Sequence, residues 1–251
     1  MIYVCIPSYN EAQTIGLVLW KIRKVFEEFP REYQILVVDD GSSDGTGETL
    51  ERYSKVLPLS VTRTKSRQGY ARSVESLLHQ TLELSDRPKR DSAILMHADF
   101  THGPQDLPEF VRRLESGADL VVGEATLSGE RSAARRLARR WAPVLLRRAV
   151  RVRGIADTVS GFVAFRLVVL RHALTGRDTG VLPLAAEGWA ANAELIGRAA
   201  NHARRIETLR VVERYDLRTR ESRIRPLEAL RQAWRAGSLL RRQRASEGGA
   251  P

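Results

Sequence analysis

Apolar and polar positions alternate in blocks along the first half of the chain. YVCIP (3–7) is a short run of buried-strand character. Over residues 11–29, Ile15, Val18, Leu19, Ile22, Val25, Phe26 and Phe29 recur at three- and four-residue spacing, which predicts a helix with one apolar face. QILVVDD (34–40) is an apolar run of strand length that ends in two acids. The pattern continues with a helix over 45–57, a strand at 59–64, a helix from 69 to 84 and a strand at 92–99 (SAILMHAD). A helix capped by Asp106 and ending near Gly117, then a strand at 119–123, complete this half. Strands alternating with helices predict an α/β fold with a mainly parallel sheet flanked by helices. Such sheets bind ligands outside the carboxyl ends of their strands. Three polar clusters fall at those ends: Ser8–Glu11, Asp39–Asp44 and His97–His102.

The second half is less regular. Residues 131–151 predict an arginine-rich helix with Leu137, Trp141, Val144 and Leu145 on its apolar side and a kink at Pro143. TVSGFVAFR (158–166) is expected to be a loop entering a short buried segment. Residues 189–203 predict a helix and 205–217 a strand. Pro226 suits the first turn of a last helix, 226–244, in which Leu227, Leu230, Trp234 and Leu239 oppose Arg231, Arg235 and Arg242. The expected division is a domain over 1–217, a basic motif with an amphipathic helix over 218–244, and a disordered tail, 245–251.

Length and hydrophobic content, 251 residues and 43%, suit one large folded domain and exclude a disordered chain. Charge changes the picture more. The net charge is +11, and 131–153 and 218–244 carry nine arginines each, 18 of the 41 basic residues. That concentration predicts an anionic partner: phosphate groups or a membrane surface. Nucleic acid is excluded as the expected partner, because the arginines lack interleaved aromatics or a nucleic-acid-binding motif. Trp and Leu beside arginine in the last helix predict contact with anionic lipid, a solvated basic face being the plain alternative. One cysteine, Cys5, permits no intrachain disulfide. No apolar run approaches the ~18–20 residues of a membrane span, and no secretory signal opens the chain. The expected location is cytoplasmic, peripheral at the inner face of the membrane.

The chemistry-bearing stretches are few. In VVDDGSSDGT (37–46) two carboxylates end a buried strand, and a carboxylate there can accept hydrogen bonds from a nucleobase N–H or a ribose hydroxyl. A purely structural turn accounts for Gly41, Asp44 and Gly45 but has little use for both Asp39 and Asp40. In IPSYNEA (6–12), Glu11 opens a helix, where an acid is favoured even in an ordinary turn. His97 and Asp99, two positions apart at a strand end, can point the same way. His97 can contact a metal or a ribose, fill space inertly, or mark lost catalysis. His102 is expected to be a solvated turn residue, with a supporting role behind the site as the alternative.

IPSYNEA, VVDDGSSDGT, HADFTHGPQDLP and DTVSGFVAFR, in this order and spacing, resemble glycosyltransferase family 2 over roughly residues 2–235, and most of all its dolichol-phosphate mannosyltransferase-like, polyprenyl-phosphate branch. The resemblance implies a GT-A fold with a Rossmann-like sheet, a nucleotide-diphosphate sugar donor and an inverting, metal-assisted transfer. The metal would be Mn²⁺ or Mg²⁺, and the acceptor polyprenyl (dolichyl-type) phosphate or another phosphorylated molecule. By position, Pro7, Tyr9, Glu11 and Asp40 would hold the nucleotide, with Asp39 beside them. His97-Ala98-Asp99 falls where the family has Asp-x-Asp, so Asp99 would bind the metal, with His97 beside it. Arg135 would face the transferred or accepting phosphate, and Asp157, Ser160 and Gly161 would shape the sugar pocket. Arg218, Arg220, Ser222 and Arg223 would form the basic motif that closes over the phosphates. Asp99, Arg135 and Arg220 are thus the catalytic candidates.

The chain departs from that pattern at several positions. His97 replaces an acid, Ala125 an arginine, Gln68 a lysine and Arg223 a lysine, and the glycine before Glu221-Ser222 is missing. Each change weakens one anion or metal contact. A phosphate acceptor is already a nucleophile and needs no general base. A hydroxyl acceptor would need one, and Glu187 or Glu194 would supply it, Glu194 being expected instead as a helix residue packed near the pocket. Two other readings stand beside lipid-phosphate transfer: a family member using a small soluble phosphorylated acceptor, and a non-catalytic member that binds nucleotide sugar or lipid.

Overall fold

The computed structural model describes residues 1–128, 133–146, 150, 152, 154–175, 183–214, 231, 234 and 235. The first half runs β1 (Ile2–Ser8), α1 (Ile15–Glu28), β2 (Tyr33–Asp39), α2 (Thr46–Ser54), β3 (Leu59–Arg63), α3 (Tyr70–Leu84) and β4 (Ser92–Leu95). A single 3₁₀ turn (Pro104–Asp106) leads into α4 (Leu107–Glu115) and β5 (Leu120–Ser128). Then follow α5 (Ala133–Leu146), β6 (Val163–Arg166), α6 (Leu167–Leu174), α7 (Trp189–Ala200) and β7 (Ile206–Arg214). The seven strands form one sheet in the order β3-β2-β1-β4-β6-β5-β7. All neighbours are parallel except β6, which runs antiparallel to both β4 and β5.

Strands buried on both faces need apolar side chains on both sides, which is why β1, β2 and β4 read as continuous apolar runs. Val4, Ile6, Val37 and Ile94 face one layer, where Ile15, Val18, Leu19 and Ile22 of α1 and Phe110 and Leu114 of α4 pack on them. Tyr3, Cys5, Leu36, Val38 and Leu95 face the other, against Val74, Leu77 and Leu78 of α3, Leu170 of α6 and Leu195 and Ile196 of α7. The chain winds outward from β1 to β2 and β3, then returns to add β4 on the other side of β1. The carboxyl ends of β1 and β4 therefore flank a topological switch point.

Several expectations change here. β4 ends at Leu95, so His97 and Asp99 lie beyond the strand and strand alternation does not set their directions. The helix after Asp106 begins at Leu107, and the Asp106 side chain makes no capping hydrogen bond. Helix α5 is present, but its apolar side does not face the core. Leu137, Trp141 and Val144 are 56%, 51% and 51% exposed, and Leu145 is also exposed. The buried side consists of Ala138, Arg139, Ala142 and Leu146. Small residues let α5 lie close to its neighbours: Ala142 and Leu146 share a minor core with Val150, Val159, Ala186, Ala190 and Ala193.

Arg218, Arg220, Ser222, Arg223, most of the helix expected at 226–244 and the tail 245–251 lie outside the described residues. Of that stretch, Arg231, Trp234 and Arg235 are described, and all three are exposed. Among the described residues no helix is long and apolar enough to cross a membrane.

Candidate active site

Loops from β1, β2 and β4 meet at the switch point. The β1–α1 and β2–α2 loops are laced into one unit. The Asn10 backbone N–H donates to Ser42 Oγ (2.8 Å), and the Ser43 N–H donates to Asn10 Oδ1 (2.9 Å). The Glu11 N–H donates to Thr46 Oγ1 (2.8 Å), and the Ala12 N–H to Asp44 Oδ2 (3.1 Å). Asn10 takes a left-handed φ of 50°, which asparagine tolerates better than most residues. Tyr9, next to it, lies under the Arg67 guanidinium, 4.6 Å from the ring centroid. The buried Glu11 carboxylate accepts the Thr14 hydroxyl at 3.0 Å.

Asp39 and Asp40 are both buried, and both are engaged by the protein. Asp39 Oδ1 accepts the Ser42 N–H (3.1 Å), and Oδ2 lies 3.3 Å from Arg63 Nε. Asp40 accepts the N–H of Gln68 (2.7 Å) on one oxygen and that of Gly69 (2.9 Å) on the other. It thus fixes the turn that carries Arg67 onto Tyr9 and opens α3. Glu187 approaches the same helix end: its Oε2 accepts the Ala71 N–H at 3.2 Å, and it is exposed to solvent.

The turn after β4 supplies Asp99, which is buried and accepts the Thr101 N–H at 3.1 Å. Phe100 between them takes a φ of 61°. The His97 N–H donates to His102 Nδ1 (3.1 Å), so neutral His102 carries its proton on Nε2. His102 is not a solvated turn residue: it is 1% exposed and stacks on Phe162 with centroids 4.8 Å apart. Its Nε2 is buried without a hydrogen-bond partner among the described residues, 3.8 Å from Glu213 Oε1. Phe162 packs in turn on Phe110 of α4, with centroids 4.4 Å apart. The His97 ring lies against His102 (4.4 Å) and edge-on to Tyr70 (6.0 Å), whose hydroxyl donates to Asn192 Oδ1 (2.8 Å). His97 Nε2 presses on Gly161: a Cβ there would sit 2.4 Å away.

Gly161 thus brings the loop before β6 against the β4 turn. In that loop Asp157 receives both Arg139 guanidinium nitrogens at 2.7 Å and the N–H groups of Ala125 and Val159. Arg139 also reaches Glu213 Oε1 at 3.2 Å. The Arg214 N–H donates to Thr101 O (3.0 Å), which ties the end of β7 to the Asp99 turn. Ser160 is wholly buried, its Oγ accepting the Phe162 N–H. Ala98 is buried beneath the turn, and Pro7 lies inside β1.

Most named residues therefore converge: Pro7, Tyr9, Glu11, Asp39, Asp40, His97, Ala98, Asp99, Asp157, Ser160 and Gly161 line or support adjoining loops on one rim of the sheet. The Arg135 side chain lies outside the described residues, although its backbone belongs to α5. Glu194 is buried with its oxygens taken by the N–H groups of Ala185 and Ala186 and by Arg198, and burial raises its pKa. Sequence reasoning missed Arg139, Glu213, Tyr70 and Arg67. Arg139 had one visible mark: it lies on the opposite side of α5 from Leu137 and Trp141.

Among the described residues no group of three or more His, Cys, Asp or Glu side chains is set to hold a metal ion. The donor set fits an ion shared with a ligand, since Mg²⁺-type sites commonly use one or two carboxylates plus substrate phosphates.

Fold and site together define a GT-A protein. The whole chain superposes on glucosyl-3-phosphoglycerate synthase from Mycobacterium tuberculosis, solved with Mn²⁺, uridine diphosphate and glucosyl-3-phosphoglycerate, with TM-score 0.62 and 21% identity over 81% of that chain. Residues 3–174 match glycosyl transferase family 2, and the chain belongs to that family. It is 30% identical over 172 residues to a dolichol-phosphate mannosyltransferase of Pyrococcus furiosus, covering 66% of this chain and 46% of the relative. It is 29% identical over 170 residues to an undecaprenyl-phosphate mannosyltransferase of Micrococcus luteus, covering 66% of each. The chain thus spans from about half to two thirds of the length of these relatives.

Proposed function

We propose that this chain transfers a sugar from a nucleotide-diphosphate sugar to a phosphate-bearing acceptor, polyprenyl phosphate, with inversion at the sugar carbon. The observation that carries the reading is the meeting of the Tyr9–Glu11, Asp39–Asp44 and Asp99 loops at the switch point of the sheet, where α/β proteins bind nucleotides. The two curated relatives, named as mannosyltransferases of dolichol phosphate and undecaprenyl phosphate, support the lipid acceptor.

In this reading Tyr9 under Arg67 offers a flat, cationic wall for the base. Asp40 holds the turn that carries Arg67, and Asp39 would line the nucleotide pocket with it, together with Pro7 and Glu11. Asp99 would hold a divalent ion, Mn²⁺ or Mg²⁺, together with the donor's phosphates. His97 would join it through Nδ1, because Nε2 is buried against the Gly161 backbone. The ion, when bound, would neutralise charge on the leaving diphosphate. Arg135, Arg218, Arg220, Ser222 and Arg223 would hold the acceptor phosphate and oppose charge leaving the sugar. An ionised phosphate attacks without a general base. Glu194 is sequestered, and Glu187, exposed beside α3, serves as base only for a hydroxyl acceptor.

Thermal denaturation with UDP, GDP and their sugars, each with Mn²⁺, Mg²⁺ or chelator, tests the donor site. A ligand at a hundred times its Kd adds ~2.7 kcal/mol, about 5–10 °C at this size. A metal-dependent shift with one nucleotide is expected, and no shift with any of them refutes the donor site. Label moving from that sugar nucleotide into an organic phase with polyprenyl phosphate is the expected transfer. Label passing only to a water-soluble phosphorylated acceptor would refute the lipid acceptor.

A further inference from the structure

The turn that carries Asp99 is held in an uncommon shape. Phe100, in its middle, has a left-handed φ of 61°, a region in which a bulky residue stays only where its surroundings hold it. One side chain spans the mouth of that turn. His102 reaches back from the far end and takes the His97 N–H on Nδ1 at 3.1 Å. Its ring lies between the His97 ring, 4.4 Å away, and the Phe162 ring, 4.8 Å away. His102 thus holds His97 twice, by main chain and by ring. On its outer side the protonated Nε2 is 3.8 Å from Glu213 Oε1, too far for a hydrogen bond but close enough for the carboxylate to favour the proton on that nitrogen. Glu213 is held by Arg139 at 3.2 Å, and the next residue, Arg214, donates its N–H to Thr101 O. The far end of the turn is therefore moored to β7, while its near end continues from β4.

We propose, on the reading that Asp99 holds a divalent ion with the donor's phosphates, that His102 is a positioning residue: it sets His97 and Asp99 for the ion without touching the ion itself. His102 is not a ligand. Its Nδ1 is engaged by a backbone N–H, and its Nε2 carries a proton. Nor is it filler. A phenylalanine would occupy the same buried space and keep the stack on Phe162, but it would take this acceptor from the His97 N–H. The turn could then relax at Phe100 and swing the Asp99 carboxylate away. Groups that stand behind metal ligands and fix their direction govern affinity by about ten- to a hundred-fold. Asparagine is the substitute that separates the two functions of the ring. Its Oδ1 stands on Cγ as Nδ1 does, so it keeps the acceptor and loses the stack.

The test uses the full chain with Mn²⁺ as the probe, in saturating UDP or GDP, and follows binding by loss of the free-ion electron paramagnetic resonance signal. Asp99→Asn should abolish ion binding. His102→Phe should raise the Kd for Mn²⁺ about ten-fold or more, and His102→Asn should return it to within about three-fold of the parent. The nucleotide Kd in chelator, which a merely misfolded pocket would also weaken, should change less than about two-fold in either variant. Parental Mn²⁺ affinity in His102→Phe overturns the proposal. So does an asparagine variant no better than phenylalanine, or an equal loss of nucleotide binding in chelator. A parent that binds no Mn²⁺, or Asp99→Asn binding it unchanged, refutes the reading of Asp99 and removes the role of His102 with it. The ¹⁵N shifts of the parent's histidines need no variant to fold: His102 is expected with its proton on Nε2, and a proton on Nδ1 overturns the proposal.

Discussion

Replacing Arg139 with methionine removes one cation from a pocket that holds two carboxylates. Arg139, Asp157 and Glu213 are 6%, 9% and 4% exposed, so none of them is relieved by water. Among the described residues the lost contacts are two hydrogen bonds of 2.7 Å to Asp157 and one of 3.2 Å to Glu213. Removing one partner of a buried pair costs about 3–5 kcal/mol, mostly as the cost of the charge left behind. Asp157 keeps the N–H groups of Ala125 and Val159, which places the cost near the lower end, about 3 kcal/mol. At 2–4 °C per kcal/mol for a chain of this size, the melting temperature should fall by ~6–12 °C. Urea denaturation checks the free energy directly. Adding Asp157→Asn and Glu213→Gln to the variant removes both stranded charges and should return about 2 kcal/mol. A loss under about 1 kcal/mol, or no recovery in the triple variant, would refute the claim that the guanidinium is what makes these carboxylates tolerable inside the fold.

Other consequences follow from single contacts. Gly161→Ala would place a Cβ 2.4 Å from His97 Nε2 and should cost about 1–3 kcal/mol by urea denaturation, an effect relieved when His97→Ala is combined with it. His97→Asp should raise the stabilisation by nucleotide with Mg²⁺ relative to Mn²⁺, since a carboxylate suits the harder ion; an unchanged ratio would remove His97 from the metal site. Glu187→Gln should leave the transfer rate within about two-fold for a phosphate acceptor, whereas a loss of a hundred-fold or more would show it to be a general base. Asp44 is partly buried, which raises its pKa, but the Thr46 hydroxyl and the N–H groups of Ala12 and Thr46 more than offset this and hold it below the ordinary carboxylate range. Its stabilising effect is therefore complete above the unfolded value, about 4, and is lost as pH falls through the lower folded value. Asp44→Asn should flatten that acid limb of the stability curve in pH-dependent melts.

How much of this was legible beforehand depended on whether contacts were local. The β1–α1 through β3–α3 units follow hydrophobic period and strand-end acids, both of which a single segment displays, and Ile15, Val18, Leu19, Ile22 and Phe26 are buried as their spacing predicts. The loops with Tyr9, Asp39, Asp40 and Asp99 were visible for the same reason. His102 was misjudged because its burial is made by Phe162, sixty residues downstream, and a Gly- and Pro-rich turn reads as solvated whatever later covers it. The apolar stripe of α5 was legible, but the direction in which it faces was not. Periodicity locates an apolar stripe without saying what it meets, and here the core side is filled by alanines and an arginine whose partners, Asp157 and Glu213, lie elsewhere in the chain. The roles of Asp39 and Asp40 within the protein, accepting backbone N–H groups from later turns, were hidden likewise: a carboxylate shows its charge in the sequence but not its donors.

The reversed strand β6 has a consequence for how this molecule can vary. Val163, its first residue, pairs with Leu95, the last of β4, so the chain re-enters the sheet at the rim from which β4 and β5 leave it. Everything between β5 and β6 is an excursion that starts and finishes on the same edge. Such a segment can lengthen, shorten or exchange its residues without shifting any strand, as a loop of a parallel crossover cannot. The side of the rim carried by β1, β2 and β4 is locked to the sheet's winding. The side carrying α5 and Gly161 leaves and rejoins the sheet at neighbouring strands, so its length can change as long as Arg139 keeps its ties to Asp157 and Glu213.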